Sequence, residues 1–135
     1  MPRYEVTRFD PPAPLAGVNL RNPETGGLLA NVSMLIDTGA DVTLIPKNAV
    51  FQLGLFLETN EQYELMGFDG NLSVASVVRV EMGFLGKTFR GRFLLIEREW
   101  GVIGRDVLNH LVLLFDGPKL TWEDYRKTIP LRSSH

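Results

Sequence analysis

An aspartate followed by small residues, Asp37-Thr38-Gly39-Ala40, ends the apolar run Met34-Leu35-Ile36. The apolar run is typical of a buried strand, and the Thr-Gly step after it indicates a tight turn. The Asp37 carboxylate therefore stands where a strand leads into a turn, a position that suits a general base at the bottom of a cleft. The same position also suits an Asx cap that only accepts hydrogen bonds from turn N–H groups.

A second motif, further along the chain, bears on the role of Asp37. About sixty-five residues further on, Val102-Ile103-Gly104 is again an apolar stretch that ends in glycine, and Arg105-Asp106-Val107-Leu108 follows it. Together the two motifs resemble those of the retropepsin-like aspartic proteases, the family that includes retroviral and retroelement proteases and their cellular relatives. The resemblance covers roughly Ala13 to Trp122, and it favours the catalytic interpretation of Asp37 over the cap.

The resemblance implies hydrolysis of peptide bonds by two aspartates, with Asp37, Thr38 and Gly39 as the catalytic motif. In that chemistry one carboxylate activates a water as general base, while the other, protonated, polarises the scissile carbonyl. The chain holds one Asp-Thr-Gly, so a homodimer that contributes Asp37 twice is the simplest complete site. The Thr38 hydroxyl is then expected to bond across the dimer axis, and Gly39 to let the substrate approach the backbone closely.

Residues around the motif take supporting roles by the same resemblance. Ala40 and Asp41 are expected beside the substrate, where Asp41 can accept a substrate N–H. Asp41 and Arg105 match positions that form an ion pair beneath the cleft, a pairing that suits the bidentate geometry of arginine. Gly104, Arg105 and Asp106 are expected to give structural support, with Asp106 stabilised by the dipole at the start of a short helix rather than acting as a catalyst.

The segment Gly67-Phe68-Asp69-Gly70-Asn71 separates two strand-like stretches, Tyr63 to Met66 and Leu72 to Val80. Two glycines between such stretches are typical of a hairpin tip. By the resemblance this hairpin is the flap, and Gly67, Phe68, Asp69 and Gly70 would close over an extended peptide held by strand-like main-chain hydrogen bonds.

The remaining pattern predicts an all-β domain with one or two short helices. Apolar and β-branched stretches indicate further strands at Pro14 to Leu20, Leu28 to Ile36, Val42 to Ile45, Thr88 to Ile96 and Val102-Ile103, and a closing hairpin at Leu111 to Phe115 and Leu120 to Trp122. Helices are predicted at Lys47 to Leu53 and Arg105 to His110, and turns at 21–27 and 82–86. Periodicity alone allows a sandwich, whereas the resemblance implies the closed retropepsin-like β-barrel.

A single domain spanning residues 1–135 fits the length of the chain. We expect its core at about 13–122 and a C-terminal tail at 123–135. Residues 1–12 are expected to form an N-terminal arm outside the core, because Pro11 and Pro12 prevent continuous ladder pairing. Pro2 to Val6 and Thr128 to Leu131 are the segments that could interleave with a second chain, as the termini of retroviral relatives do.

Composition argues against several other classes of protein. The formal net charge of −2 gives no reason to expect nucleic acid or an anionic membrane as partner. No stretch approaches the roughly 18 apolar residues of a membrane span, and a soluble, cytoplasmic protein is expected. His110 and His135 are isolated, so neither a metal site nor a nucleophilic triad is expected. An aspartic endopeptidase is expected to act without a metal or organic cofactor. The expected partners are a peptide or protein substrate and a second copy of the chain.

A binding module with the same fold is the alternative function. Such a barrel would grip extended peptides or assemble a complex without turnover, because a fold does not fix a function. The intact Asp37-Thr38-Gly39 favours an enzyme, since a pure binder needs no carboxylate at that position.

Overall fold

The computed structural model describes residues 2–66 and 72–128 of the 135-residue chain. In chain order the elements are β1 (Tyr4–Glu5), β2 (Ala13–Arg21), β3 (Leu28–Ile36), β4 (Leu44–Pro46), α1 (Lys47–Gln52), β5 (Leu57–Met66), β6 (Leu72–Phe84), β7 (Lys87–Ile96), β8 (Gly101–Ile103), α2 (Arg105–Leu108), β9 (Leu113–Asp116), β10 (Thr121–Asp124) and α3 (Tyr125–Thr128). The predicted all-β class is confirmed, with one short helix more than predicted.

Eight of the strands form one sheet in the order β1-β2-β3-β8-β4-β7-β6-β5. An additional pairing of β2 with β6, Asn19 to Arg21 against Glu81 to Gly83, joins the two ends of the row β2-β3-β8-β4-β7-β6. Six strands therefore close on themselves, which confirms the predicted closed β-barrel and excludes a sandwich.

Strict alternation along the strands builds the interior of the barrel. Ala16, Val18 and Leu20 of β2 are buried, and Gly17 and Asn19 between them are exposed. The same alternation buries Val32, Met34 and Ile36 of β3 and Val78, Val80, Met82 and Phe84 of β6. Because Ile36 is fixed in this core, the residue that follows it emerges at a defined point at the end of β3.

The connection between β2 and β3 is organised by a buried amide. Asn22 Oδ1 accepts the N–H of Glu24 at 2.9 Å and that of Thr25 at 3.3 Å, which forms the turn that the sequence predicts. Asn22 Nδ2 donates to the carbonyl of Leu53 at 2.9 Å, so the turn is also tied to the end of α1.

The β6–β7 hairpin is longer than the sequence predicts. We expected a turn over 82–86, but Met82, Gly83 and Phe84 continue β6, and Gly83 pairs with Thr88 of β7. Only two residues make the turn, Leu85 with φ 52° and Gly86 with φ 77°. Two successive positive φ angles match the twist of a tight hairpin, so Gly83 was wrongly interpreted as a turn residue.

The N-terminal arm joins the sheet, in contrast to the prediction that it lies outside the core. Tyr4 pairs with Pro14 and Glu5 with Ala13, which makes β1 a neighbour of β2. The Glu5 carboxylate also accepts bonds from the Thr7 hydroxyl and the Arg8 guanidinium, and these hold the pKa of Glu5 below its usual value.

The other side of the arm is engaged by the β9–β10 hairpin. The Tyr4 N–H donates to the Leu120 carbonyl at 2.8 Å, and the Trp122 N–H donates to the Pro2 carbonyl at 3.0 Å. Proline lacks a donor but keeps its acceptor, and the pairing uses that acceptor. Residues 2–5 are thus already paired within their own chain, so interleaving of Pro2 to Val6 with a second chain would require these bonds to break. Residues 129–131 of the other predicted segment lie outside the described residues.

The closing hairpin is confirmed as β9 paired with β10, Phe115 opposite Trp122. Trp122 is buried beside Phe84, with 6.0 Å between ring centroids, and its Nε1–H donates to the Leu15 carbonyl. The predicted tail instead continues β10 to Asp124, whose Oδ1 accepts the Arg126 N–H at the start of α3.

The predicted flap hairpin is formed by β5 and β6, which stay paired as far as Met66 opposite Leu72. Its tip, with Gly67, Phe68, Asp69 and Gly70, lies outside the described residues. None of the helices in the described part of the chain is long and apolar enough to cross a membrane.

Candidate active site

The Asp37 loop lies where three strands from distant parts of the sequence meet. β8 runs between β3 and β4, parallel to β3 with Ile36 opposite Ile103, and antiparallel to β4 with Leu44 opposite Val102. β3 ends at Ile36, and residues 37–43 loop over the end of β8 to reach β4. The two motifs found in the sequence therefore become neighbours in space.

A glycine is required where β8 ends under this loop. A Cβ atom on Gly104 would lie 2.5 Å from the Val42 carbonyl oxygen and 3.0 Å from that of Ala40. Real Cβ atoms do not approach backbone oxygens so closely. The supporting role predicted for Gly104 thus has a steric basis in this structure.

Backbone hydrogen bonds hold Asp37 on both sides. Its N–H donates to the Ile103 carbonyl at 3.1 Å, and its carbonyl accepts the Ala40 N–H at 3.2 Å. The Ala40 carbonyl in turn accepts the Arg105 N–H at 2.8 Å. Within the loop, Asp37 Oδ1 accepts the Gly39 N–H at 2.8 Å. The loop is therefore shaped by its own turn and by the β8–α2 junction.

Asp37 is only half buried, and Thr38 and Gly39 are exposed. The Gly39 bond is the Asx-type contact that sequence reasoning weighed against a catalytic role, but it uses Oδ1 and leaves Oδ2 available. The two roles are therefore compatible, because one oxygen can orient the carboxylate while the other takes no part in that bond.

Thr43 connects the two motifs, and sequence reasoning missed it. Its side chain is fully buried; Oγ1 donates to Asp106 Oδ1 at 2.6 Å and accepts the Gly104 N–H at 3.0 Å. Its backbone N–H donates to Asp106 Oδ2 at 3.0 Å. The available signal was a hydroxyl inside the apolar run Val42 to Ile45, because a buried hydroxyl needs partners. Asp106, predicted as a helix-start residue, lies in the first turn of α2 and braces this junction.

Arg105 supports the Asp37 loop through a partner other than the one predicted. Its Nη1 donates to the Thr38 carbonyl at 2.7 Å. Within the described residues, Arg105 forms no ion pair with Asp41, so the predicted pair was wrong for the single chain. Asp41 is exposed, and an exposed carboxylate keeps its hydration without a cation. The guanidinium instead satisfies a carbonyl that the tight turn leaves without a ladder partner.

Within the described residues, Thr38 and Ala40 of the first motif contact Arg105 of the second through their carbonyl oxygens. The flap residues cannot be placed against them. No group of three or more potential metal ligands occurs among the described residues. The arrangement offers one oriented carboxylate, exposed backbone beside it, and a rigid support behind it.

Comparison with known proteins agrees with this arrangement. The family model described as retroviral aspartyl protease matches residues 12–115, a range that contains the Asp37 loop and the β8–α2 junction. Among solved structures the chain is similar to EIAV protease complexed with the inhibitor HBY-793, with 20% sequence identity and a TM-score of 0.54 over 73% of this chain and 86% of that chain. At that identity the structural likeness shows the fold.

No individual curated protein matches the chain. The family match nevertheless spans well over half of the 135 residues, and the closed barrel agrees with it. The chain therefore belongs to the retroviral aspartyl protease family.

Proposed function

We propose that the protein is an aspartic endopeptidase whose active form is a homodimer with Asp37 from each chain at a shared site. The observation that carries the proposal is the Asp37 loop itself: a half-buried carboxylate at the end of a core strand, oriented by the Gly39 N–H and braced by Ile103 and Arg105.

The chemistry needs two carboxylates that share one proton. The ionised Asp37 removes a proton from water, and the resulting hydroxide attacks the scissile carbonyl carbon. The protonated Asp37 gives its proton to the carbonyl oxygen, which forms a tetrahedral diol. Collapse of the diol breaks the C–N bond, and a proton passes to the leaving amine. Water is consumed, and no metal or organic cofactor takes part.

Dimerisation is supported by the exposure of the loop. Thr38 and Gly39 face outward in the single chain, and the sequence supplies no second Asp-Thr-Gly. A two-fold axis beside Asp37 would bring two identical loops together, since a two-fold interface uses the same patch of both subunits. Ala40 and Asp41 would then border the bound peptide, and the β5–β6 hairpin would cover it.

Digestion of a mixed peptide library, read by mass spectrometry, tests the catalytic assignment. Asp37→Asn should abolish cleavage and leave the melting temperature close to that of the wild type, because the amide keeps the Oδ1 acceptor but cannot act as a general base. Asp116→Asn is the matched control, since its oxygen can still accept the Lys119 N–H. Undiminished cleavage by folded Asp37→Asn would refute the assignment. Peptide binding without cleavage by the wild type would favour a binding module.

Dilution tests the shared site. If each active site needs two chains, specific activity should fall as sedimentation shows the dimer dissociating. Excess Asp37→Asn mixed with wild type should trap active chains in defective heterodimers and lower activity further. A monomer that cuts at full specific activity would rule out the shared dyad.

A further inference from the structure

Strand β7 has a neighbouring strand on only one side over most of its length. β6 pairs with Lys87 through Leu94, whereas the short β4 pairs only with Leu94 to Ile96. No other strand in the described ranges, 2–66 and 72–128, pairs with Lys87 to Phe93. The side of β7 that faces away from β6 is therefore a strand edge seven residues long.

The direction of the backbone groups on this edge follows from Leu94. Its N–H donates to the Thr43 carbonyl at 3.2 Å, on the side away from β6. Backbone groups in an antiparallel strand alternate between the two sides. The N–H and C=O of Thr88 and Arg90 consequently point to the same side as those of Leu94, where β4 no longer reaches.

A groove of about 680 Å³ runs along this edge. It is lined by the continuous stretch Lys87 to Phe93 and by Asp106, Val107 and His110. A Cβ atom added at Gly91 would have no heavy atom within 4 Å, so the glycine leaves the middle of the groove open. Drug-sized ligands occupy clefts of roughly 300–1,000 Å³.

Positive charge surrounds the groove although the chain as a whole has a net charge of −2. Three cations line it, Lys87, Arg90 and Arg92, against one carboxylate, Asp106, which already accepts two bonds from Thr43. On the outer face of the same strands, two glutamates are each shared by two arginines: Glu58 by Arg79 and Arg92, and Glu81 by Arg21 and Arg90. Arg90 and Arg92 belong to both sets; with each residue counted once, the five cations named here exceed the three carboxylates among the described residues.

We propose that this groove is an exosite in which an extended, acidic segment of the protein substrate, remote from the scissile bond, adds a strand to β7. Main-chain bonds to Thr88 and Arg90 would supply affinity, and alternate side chains would supply specificity. Acidic side chains would lie on the face that carries Arg90 and Arg92, and small apolar ones would face Phe89 and Val107. Calling the partner a substrate rests on the proposed function; the binding itself does not.

Charge also argues against the chain's own C-terminus as the occupant. The last seven residues, Ile129 to His135, contain one arginine and no acidic residue, so they do not complement a basic groove.

A labelled peptide of seven alternating residues, Glu-Val-Glu-Val-Glu-Val-Glu, tests the site by fluorescence anisotropy at pH 7. The host protein carries Asp37→Asn, so that no peptide is cut. The wild-type groove should bind the peptide saturably, and more weakly as salt is raised. A peptide of the same composition with its four Glu before its three Val should bind about tenfold more weakly, because only the alternating order suits a strand.

Two groove variants and one matched control locate the binding. Gly91→Val should fill the groove, and Arg90→Pro should remove an edge N–H without disturbing the pairing with β6; each should weaken binding by about tenfold or more. Gly83→Val is the control, because it places the same side chain on the neighbouring strand outside the groove, where a Cβ has only ordinary contacts at 3.8 Å.

Linking the acidic peptide through a flexible spacer to a cleavable sequence tests the link to catalysis. In the active protein the linked acidic peptide should lower the KM for the cleavable sequence without changing kcat, because binding in the groove raises the local concentration of that sequence. Gly91→Val should remove this advantage.

Several results would overturn the proposal: no saturable binding by the wild-type groove, or equal binding by Gly91→Val and wild type. A monomer–dimer equilibrium that Gly91→Val shifts would do the same, because the edge would then be an interface between copies. If the wild-type protein bound the acidic peptide but cut no substrate, the proposed protease function would be wrong while the peptide-binding groove would stand.

Discussion

Replacing Thr43 with valine is the most direct test of how the two motifs are held together. Valine has nearly the same shape, so the substitution removes the hydroxyl and leaves the packing of the buried site in place. Two hydrogen bonds are lost, one to Asp106 at 2.6 Å and one from Gly104 at 3.0 Å.

The size of the effect can be worked out bond by bond. A hydrogen bond to an ionised carboxylate contributes about 1.5–3 kcal/mol, and the lower end applies here because Asp106 is exposed and keeps its bond from the Thr43 N–H. The buried Gly104 N–H is left without an acceptor, at a cost of about 1–3 kcal/mol. We expect a loss of about 3 kcal/mol in the free energy of unfolding, or a fall in Tm of roughly 10 °C for a domain of this size.

Thermal and urea unfolding at one fixed protein concentration would measure this loss. Thr43→Ser is the control, because it keeps the hydroxyl and loses one methyl group, worth about 1 kcal/mol. If Thr43→Val has the same Tm as the wild type, or if Thr43→Ser is less stable than Thr43→Val, the junction does not depend on the hydroxyl. Our account of the junction would then be refuted.

Two further predictions concern the same junction. Gly104→Ala should destabilise the fold by roughly 3 kcal/mol, because its Cβ would lie 2.5 Å from the Val42 oxygen. Gly91→Ala, which meets no atom within 4 Å, should cost nothing, and equal melting of both variants would contradict the steric argument. Arg105→Leu should lower kcat by about tenfold or more through misplacement of the Asp37 loop, yet cost no more than about 1 kcal/mol of stability, because the side chain is exposed. If Arg105→Leu left kcat unchanged and lowered Tm strongly, Arg105 would support the fold rather than the position of the Asp37 loop.

Local pattern was sufficient to predict most of the strands. Apolar-rich stretches identified β2 and β3, and β3 has the predicted bounds, Leu28 to Ile36. The helix predicted at Lys47 to Leu53 is α1, and Gly54, at φ 63°, lies just beyond its end. These features depend on local apolar content and on backbone conformations that favour glycine, and both are visible in a short window of sequence.

Partners distant in the sequence could not be predicted in the same way. Arg105 was assigned to Asp41 by family resemblance, but the tight turn presents the Thr38 carbonyl to it, and only the backbone path shows this. Thr43 has the composition of an ordinary strand residue, and its role depends on a carboxylate sixty-three positions away. The arm was misjudged because Pro11 and Pro12 were taken to prevent pairing of the whole segment, whereas Tyr4 and Glu5, which precede them, pair with β2.

The braces of the Asp37 loop have a consequence for synthesis of the chain. The bonds from Gly104 to Thr43, from Thr43 to Asp106 and from Arg105 to Thr38 span 61, 63 and 67 positions. Contacts of such long range require a large loop to be closed first, so they form late. A nascent chain that has left the ribosome only as far as β7 carries the Asp-Thr-Gly but none of these braces. We expect it to be inert, so that hydrolytic activity would first arise after α2 has been synthesised.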